Sequence, residues 1–139
     1  MLFDLPGLLA IVMVCLLTLL ICKRWAFLAI PVLLGAIVRL SASIINVFGF
    51  SLPDSGADAR AFEAEAWRMA EGGFYSLIST TPDLGSWFIS WFIAVFYALF
   101  GRSQLMAQSL STLFGIGTIV LGTLLARRLW GESVAKKAA

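Results

Sequence analysis

Residues 5–22, LPGLLAIVMVCLLTLLIC, run for eighteen positions without a charged side chain. As a helix, this run is long enough to cross most of a bilayer core of roughly 30 Å. The whole chain is similar in character, because 60% of its 139 residues are hydrophobic and 13% are charged, against about 45–50% and roughly 25% in soluble domains. So small a domain cannot hide this apolar excess in a core. The sequence therefore predicts an integral membrane protein.

Two further apolar runs have the length of spanning helices, namely residues 25–50 and residues 105–126. A fourth run, residues 86–100, makes only about 22 Å of helix, which is shorter than the bilayer core. Its Trp and Tyr side chains are typical of the headgroup level. We expect an all-α, polytopic protein with three transmembrane helices, and four if the aromatic run also crosses.

The distribution of charge favours three spans. Basic residues follow the first run at Lys23 and Arg24, and they follow the last run in residues 127–139. Three spans put both basic groups on one side, which the positive-inside rule identifies as cytoplasmic. Residues 1–139 then form a single membrane module with an outer-face segment, residues 51–103, and a cytoplasmic basic tail. That segment contains six of the eight acidic residues: Asp54, Asp58, Glu63, Glu65, Glu71 and Asp83.

The outer-face segment is predicted to hold juxtamembrane helices. Residues 51–72 indicate an amphipathic helix after a turn, and such a helix is expected to lie on the membrane surface. Glu63 is expected to be solvated, and residues 74–81 are expected to form a short link before the aromatic helix. The predicted apolar face consists of Phe62, Ala66, Met69 and Ala70.

Arg39 is the first candidate functional residue, because a charge within a span costs energy and usually has a function. By helix rise it lies roughly 15 Å inside the outer end of its span. One interpretation is that Arg39 reaches toward the interface or pairs with a polar group during assembly. The other is that its guanidinium binds a lipid phosphate or an external carboxylate, since it recognises both bidentately.

Asp54 and Asp58 are the candidate catalytic residues. Either one can cap the helix that follows, and Asp58 at the interface could also take a proton from an acceptor or contribute to a cation site. The chain contains no histidine, so the commonest metal ligand and general base is missing. The residues themselves predict no metal site and no phosphate-binding loop. A net charge of +2 is too small to indicate a nucleic-acid partner.

The third apolar run contains two pairs of small residues four positions apart, Ser111 with Gly115 and Thr118 with Gly122. Such spacing lets another helix approach closely. We therefore expect these residues to pack against a helix and expect other transmembrane chains, besides membrane lipid, as partners.

The order of these features resembles a known module. A span with a late arginine (GAIVRLSASIINVFGF, 35–50) precedes an aspartate that leads a helix (SGADARAFEAEAWRMAEGG, 55–73). An aromatic helix (TPDLGSWFISWFIAVFYALFG, 81–101) and a span (STLFGIGTIVLGTLLARRLWG, 111–131) follow. The arrangement resembles the N-terminal module of GT-C type glycosyltransferases, which include protein mannosyltransferases and lipid A aminoarabinose transferases. The last segment is the most specific part of a resemblance that covers about residues 32–131.

The resemblance implies transfer of a sugar from a polyprenyl-phosphate donor at the outer face of a bacterial inner membrane, with the outer-face segment in the periplasm. It places the family's essential loop aspartate on Asp58, with Asp54 as the alternative, and it alone suggests a divalent cation. Here Ala59 follows Asp58, where the family often has Asp-Glu. Family members have many more spans, so we expect a glycosyltransferase-like module that needs a partner chain. The alternative is a non-catalytic accessory subunit of a membrane complex.

Overall fold

The computed structural model describes residues 4–49, 57–79, 85 and 87–131. Within these residues the chain forms six α-helices and no strand, which confirms the predicted all-α fold. Three helices are long and three are short. In chain order they are α1 (Leu5–Arg24), α2 (Ala29–Phe48), α3 (Ala57–Ala70), α4 (Gly73–Ser79), α5 (Phe88–Phe100) and α6 (Gln104–Trp130).

Three helical segments are long and apolar enough to cross a membrane. They are α1, α6 and the segment Ala26–Phe48, in which a 3-10 turn leads directly into α2. Most of their large apolar side chains are exposed, so lipid must cover them and the chain is an integral membrane protein. The third span is longer than predicted. Helix α5 has 13 residues, or about 20 Å, and is shorter than a bilayer core.

The starts of α1 and α6 lie side by side. Asp4 caps α1, because its Oδ1 accepts a hydrogen bond from Gly7 N at 3.0 Å. Ser103 caps α6, because its Oγ accepts from Met106 N at 3.0 Å. The Ser103 hydroxyl also donates to Asp4 Oδ2 at 2.8 Å. The two caps are therefore joined, and α1 and α6 begin at the same level.

The basic ends of α1 and α6 also share one side of the helix bundle. Lys23 and Arg24 occupy the last turn of α1, and Arg127 and Arg128 occupy the last turn of α6. The Arg127 guanidinium lies 4.9 Å from the ring centre of Phe27 in the turn between α1 and α2. We call this side the basic end. The opposite side, where α3, α4 and α5 pack, is the acidic end.

The bundle has one apolar core between the spans and a second at the acidic end. Val14, Val32 and Ile116 are buried between α1, α2 and α6. At the acidic end, Ala66 of α3 and Ala94 of α5 are both fully buried. The predicted apolar face of α3 is thus correct, but α5 covers it rather than lipid.

The link predicted for residues 74–81 is wrong for most of its length, because Gly73–Ser79 forms α4 and Leu77 is buried. Gly73 has a φ of 80°, a backbone conformation that glycine adopts at little cost. It separates α3 from α4 instead of ending helical structure. The chain therefore folds back over the acidic end as a second short helix.

Helix α5 lies beside the half of α6 that is nearest the acidic end. Gly101, with a φ of 89°, separates the two helices and lets the chain reverse. The rings of Phe92 and Phe114 are 5.2 Å apart, and Phe114 lies roughly 15 Å from the start of α6. Helix α5 therefore folds back toward α6 and contacts it through aromatic side chains.

Candidate functional site

A cavity of about 570 Å³ opens at the acidic end between α2, α3, α5 and α6. Its apolar wall includes Phe62, Ile89 and Ile93. Its polar wall carries amide, hydroxyl and charged groups from three helices. They are Asn46, Arg60, Glu63, Gln104, Gln108 and Ser111. A concave site with one apolar side and several convergent polar groups is the usual form of a small-molecule or lipid-headgroup site.

Glu63 is the carboxylate of this wall, and an ion pair holds it in place. Arg102 donates from Nε to Oε1 and from Nη2 to Oε2, both at 2.9 Å. The guanidinium, through these charge-assisted hydrogen bonds, holds the pKa of the Glu63 carboxyl below its usual range. Only 7% of Glu63 is exposed. The expectation that Glu63 is solvated is therefore wrong, and its partner lies 39 positions away in the sequence.

Tyr97 extends the Glu63–Arg102 pair to the caps of α1 and α6. Its hydroxyl lies 3.2 Å from Glu63 Oε1 and 3.1 Å from the Ser103 carbonyl oxygen, and its single proton can serve either acceptor. Burial, together with the Glu63 charge, raises the pKa of Tyr97, so the phenol stays neutral. Because Ser103 bonds Asp4, polar contacts run from α3 to the start of α1.

Arg102 has an aromatic partner as well. Its guanidinium carbon lies 5.5 Å from the ring centre of Trp67, within the range of a cation–π contact. The Glu63 carboxylate raises the pKa of Arg102. The nearby Ser90 hydroxyl donates to the Phe62 carbonyl at 2.9 Å. These contacts fix α3 against α5 and thereby fix one wall of the cavity.

The two candidate catalytic residues can be placed only in part. Asp58 lies in the first turn of α3, next to Ala59 and Arg60 in the cavity wall, but its side chain lies outside the part of the structure that is described. Asp54 lies wholly outside the described residues. The backbone of α3 thus brings residue 58 to the rim of the cavity.

Arg39 lies against α6 at Gly115. A Cβ added to Gly115 would lie 2.6 Å from Arg39 Nε and 2.7 Å from Cζ, so the guanidinium rests directly on the glycine. Ser111, one turn nearer the acidic end, lines the cavity. The first predicted small-residue pair therefore lies between the cavity and Arg39.

The second predicted small-residue pair lies elsewhere on α6. Thr118 and Gly122 are exposed, and a Cβ added to Gly122 would meet nothing within 4 Å. The face of α6 that packs within this chain instead includes Thr112, Ile116 and Thr123. Thr118 and Gly122 are thus left on the surface of the bundle.

The divalent cation implied by the resemblance finds no matching ligand set in the described residues. Among them, no group of three or more His, Cys, Asp or Glu side chains lies close enough together to hold a metal ion. The Glu63 carboxylate already binds Arg102 with both oxygens.

The sequence contained a signal for the polar wall that is easily missed. Gln104, Gln108 and Ser111 recur at helical spacing near the start of the third apolar run, so they share one face of α6. Comparisons with protein-family models, with curated proteins and with solved structures find no match for this chain.

Proposed function

We propose that this chain is a glycosyltransferase-like membrane module of the GT-C type. In this proposal it holds a polyprenyl-phosphate-linked sugar at the outer face of a bacterial inner membrane, with the acidic end in the periplasm. A partner chain supplies the remaining spans needed for transfer. The observation that carries the proposal is the cavity at the acidic end, with its polar wall and its apolar wall.

The two walls suit the two halves of such a donor. Amide and hydroxyl groups of Gln104, Gln108 and Ser111 can hydrogen-bond sugar hydroxyls or phosphate oxygens, and Arg60 carries a positive charge in the same wall. Ile89 and Ile93 offer the apolar surface that an isoprenoid chain requires. The cavity lies where the spans end, so a lipid-linked substrate can enter it from the bilayer.

In this proposal Asp58 is the catalytic base, because it opens α3 at the rim of the cavity and a carboxylate can accept the proton of an attacking hydroxyl. Asp54 is the alternative for this role. Glu63 is not proposed for it, since Arg102 binds both of its oxygens.

Ligand binding tests the cavity directly. Farnesyl phosphate should bind the purified chain in lipid nanodiscs, as native mass spectrometry can detect. Ser111→Leu places a larger apolar side chain in the polar wall, and we expect it to weaken binding about tenfold. The matched control is Thr118→Leu, which makes the same kind of change on the exposed surface of α6. Equal binding by both variants would contradict the proposed site.

Catalysis needs a separate test in the presence of the partner chain. With a partner chain that supplies the remaining spans co-expressed, Asp58→Asn should reduce sugar transfer about 100-fold or more while farnesyl phosphate binding is retained. Unchanged transfer in Asp58→Asn would remove Asp58 from the proposed mechanism.

A second candidate function is that of a non-catalytic accessory subunit of a membrane complex. The observation in its favour is that Glu63, a carboxylate in the cavity wall, is held in a structural ion pair with Arg102. A subunit of this kind should co-purify in fixed stoichiometry with a larger complex and should not bind farnesyl phosphate. The two candidates therefore predict opposite results in the same binding experiment.

A further inference from the structure

The guanidinium of Arg39 lies at the same depth in the membrane as the backbone of Arg39. Helices α2 and α6 run antiparallel, and a Cβ added to Gly35 would meet the Ile119 side chain at 2.9 Å. Four residues further along α2, Arg39 meets Gly115, which is four residues earlier in α6. The two contacts share one register, so the Arg39 side chain extends sideways onto α6. It does not extend toward the membrane surface, as a snorkelling arginine does.

This depth lies well inside the hydrocarbon layer. Arg39 precedes Phe48, the last residue of α2, by nine positions, which corresponds to roughly 14 Å of helix. The Arg39 side chain is on the exposed surface of the bundle. Among the described residues, no hydrogen bond or ion pair engages its guanidinium. A charge in this position is stabilised by an anionic partner at the same depth.

The position of the guanidinium favours a protein carboxylate over a lipid phosphate. Phosphates of the surrounding lipids lie outside the hydrocarbon core, about 15 Å from its centre, whereas the guanidinium extends sideways across α2 and α6. A carboxylate on a neighbouring transmembrane helix can reach it at that depth. The planar guanidinium also matches a carboxylate with two parallel hydrogen bonds.

A second copy of this chain cannot supply that carboxylate. All eight acidic residues lie outside α1, α2 and α6. We infer that Arg39, lying on Gly115, is the docking point for a transmembrane helix of a different protein that carries an Asp or Glu near the middle of its span. Gly115 matters because the missing Cβ lets the guanidinium lie flat, which leaves room for the partner helix. The inference does not depend on the cavity or on sugar transfer.

Synthetic transmembrane peptides can test this inference in phosphatidylcholine vesicles. One polyleucine peptide of about 21 residues carries Glu at its centre, and the matched peptide carries Gln there. Förster transfer from a dye on Cys15, in a Cys22→Ala background, to a dye on the peptide measures binding. We expect the Glu peptide to bind about tenfold more tightly than the Gln peptide.

Variants of the chain identify the residue responsible. Arg39→Gln should abolish the preference for Glu, whereas Arg128→Gln, a change at the basic end, should retain it. Gly115→Ala should reduce the preference because the new methyl group displaces the guanidinium, and Gly122→Ala is the matched control without such a neighbour. Arg39→Lys should restore part of the preference for the Glu peptide. This result would show that the fold is intact.

Two results would overturn the inference. The first is equal binding of the Glu and Gln peptides, or a preference for Glu that survives in Arg39→Gln. The second concerns lipid. It is an enrichment of spin-labelled phosphatidylglycerol around the chain that depends on Arg39, with no preference of the chain for either peptide. This result would assign Arg39 to a lipid phosphate.

Discussion

Arg102 and Arg39 meet very different surroundings within one small chain. Arg102 binds both oxygens of Glu63 and lies over the ring of Trp67. Arg39 rests on the backbone of Gly115 and, among the described residues, has no acidic partner. The chain therefore pairs the charge of Arg102 internally and leaves the charge of Arg39 available within its spans. The Glu63–Arg102 pair stabilises the fold, whereas Arg39 is the residue that we propose contacts another protein.

The largest effect is expected when Arg102 is removed. Arg102→Ala leaves the buried carboxylate of Glu63 without its ionic partner. Because the Arg102 side chain is itself 46% exposed, solvent screens the pair in part, and we expect the free energy of unfolding to fall by about 1–3 kcal/mol. Reversible unfolding in mixed detergent micelles measures it. The control is Arg68→Ala, because Arg68 pairs with Glu65 on the exposed surface of α3 and should lose less than about 1 kcal/mol. Similar losses in both variants would contradict the structural role of the Glu63–Arg102 pair.

A fall in pH should remove the stabilisation by the Glu63–Arg102 pair without a mutation. The hydrogen bonds from Arg102 hold the pKa of Glu63 in the folded chain below the ordinary glutamate value of 4.5, so its pairing stabilises the fold fully above about pH 4.5. That stabilisation is lost as the pH falls through the lowered folded pKa. We expect the unfolding midpoint to drop in this range and to drop less in Glu63→Gln. An identical pH profile in Glu63→Gln would show that other groups cause the acid sensitivity.

A smaller effect is expected at the joined caps of α1 and α6. Asp4→Ala removes the acceptor for both Gly7 N and the Ser103 hydroxyl, and we expect a loss of about 1 kcal/mol. Asp4→Asn keeps an oxygen acceptor for the cap and should lose less. The same unfolding assay ranks the two variants, and a larger loss in Asp4→Asn would contradict the capping role.

The smallest effect is expected at Arg39. Arg39→Leu replaces an exposed charge in a span with an apolar side chain, so the purified chain should keep its stability to within about 0.5 kcal/mol or become more stable. The unfolding midpoint in micelles is again the measurement. A loss comparable to that of Arg102→Ala would mean that Arg39 is paired inside this chain, and the contrast between the two arginines would fail.

Apolar length and charge position predicted most of the fold. The spans, their order and the common side of the basic residues follow from runs that lipid must cover and from the positions of Lys23, Arg24, Arg127 and Arg128. The apolar face of α3 was also predictable, because helical periodicity identifies which side chains share a face. The element that covers that face was not predictable, because a helix that packs on protein and a helix that lies on lipid show the same pattern of apolar residues.

The contacts at the candidate site were largely unpredictable. Glu63 and Arg102 are 39 positions apart, and neither residue alone indicates that the chain reversal at Gly101 brings them together. Arg39 was recognisable from its charge within an apolar run, but its contact with Gly115 depends on the register between α2 and α6. Helix α4 was missed because two adjacent glycines usually mark the end of a helix, whereas here the positive φ of Gly73 begins a new one.

Helix α5 has 13 residues and is shorter than a bilayer core, so the residues before and after it should lie on the same side of the membrane. Single cysteines placed at Ala64 and Phe100, in a background without Cys15 and Cys22, report on the two sides of α5. A membrane-impermeant maleimide should label both positions from the same side, opposite to a cysteine at Trp130. Labelling of positions 64 and 100 from opposite sides of the membrane would contradict the three-span account.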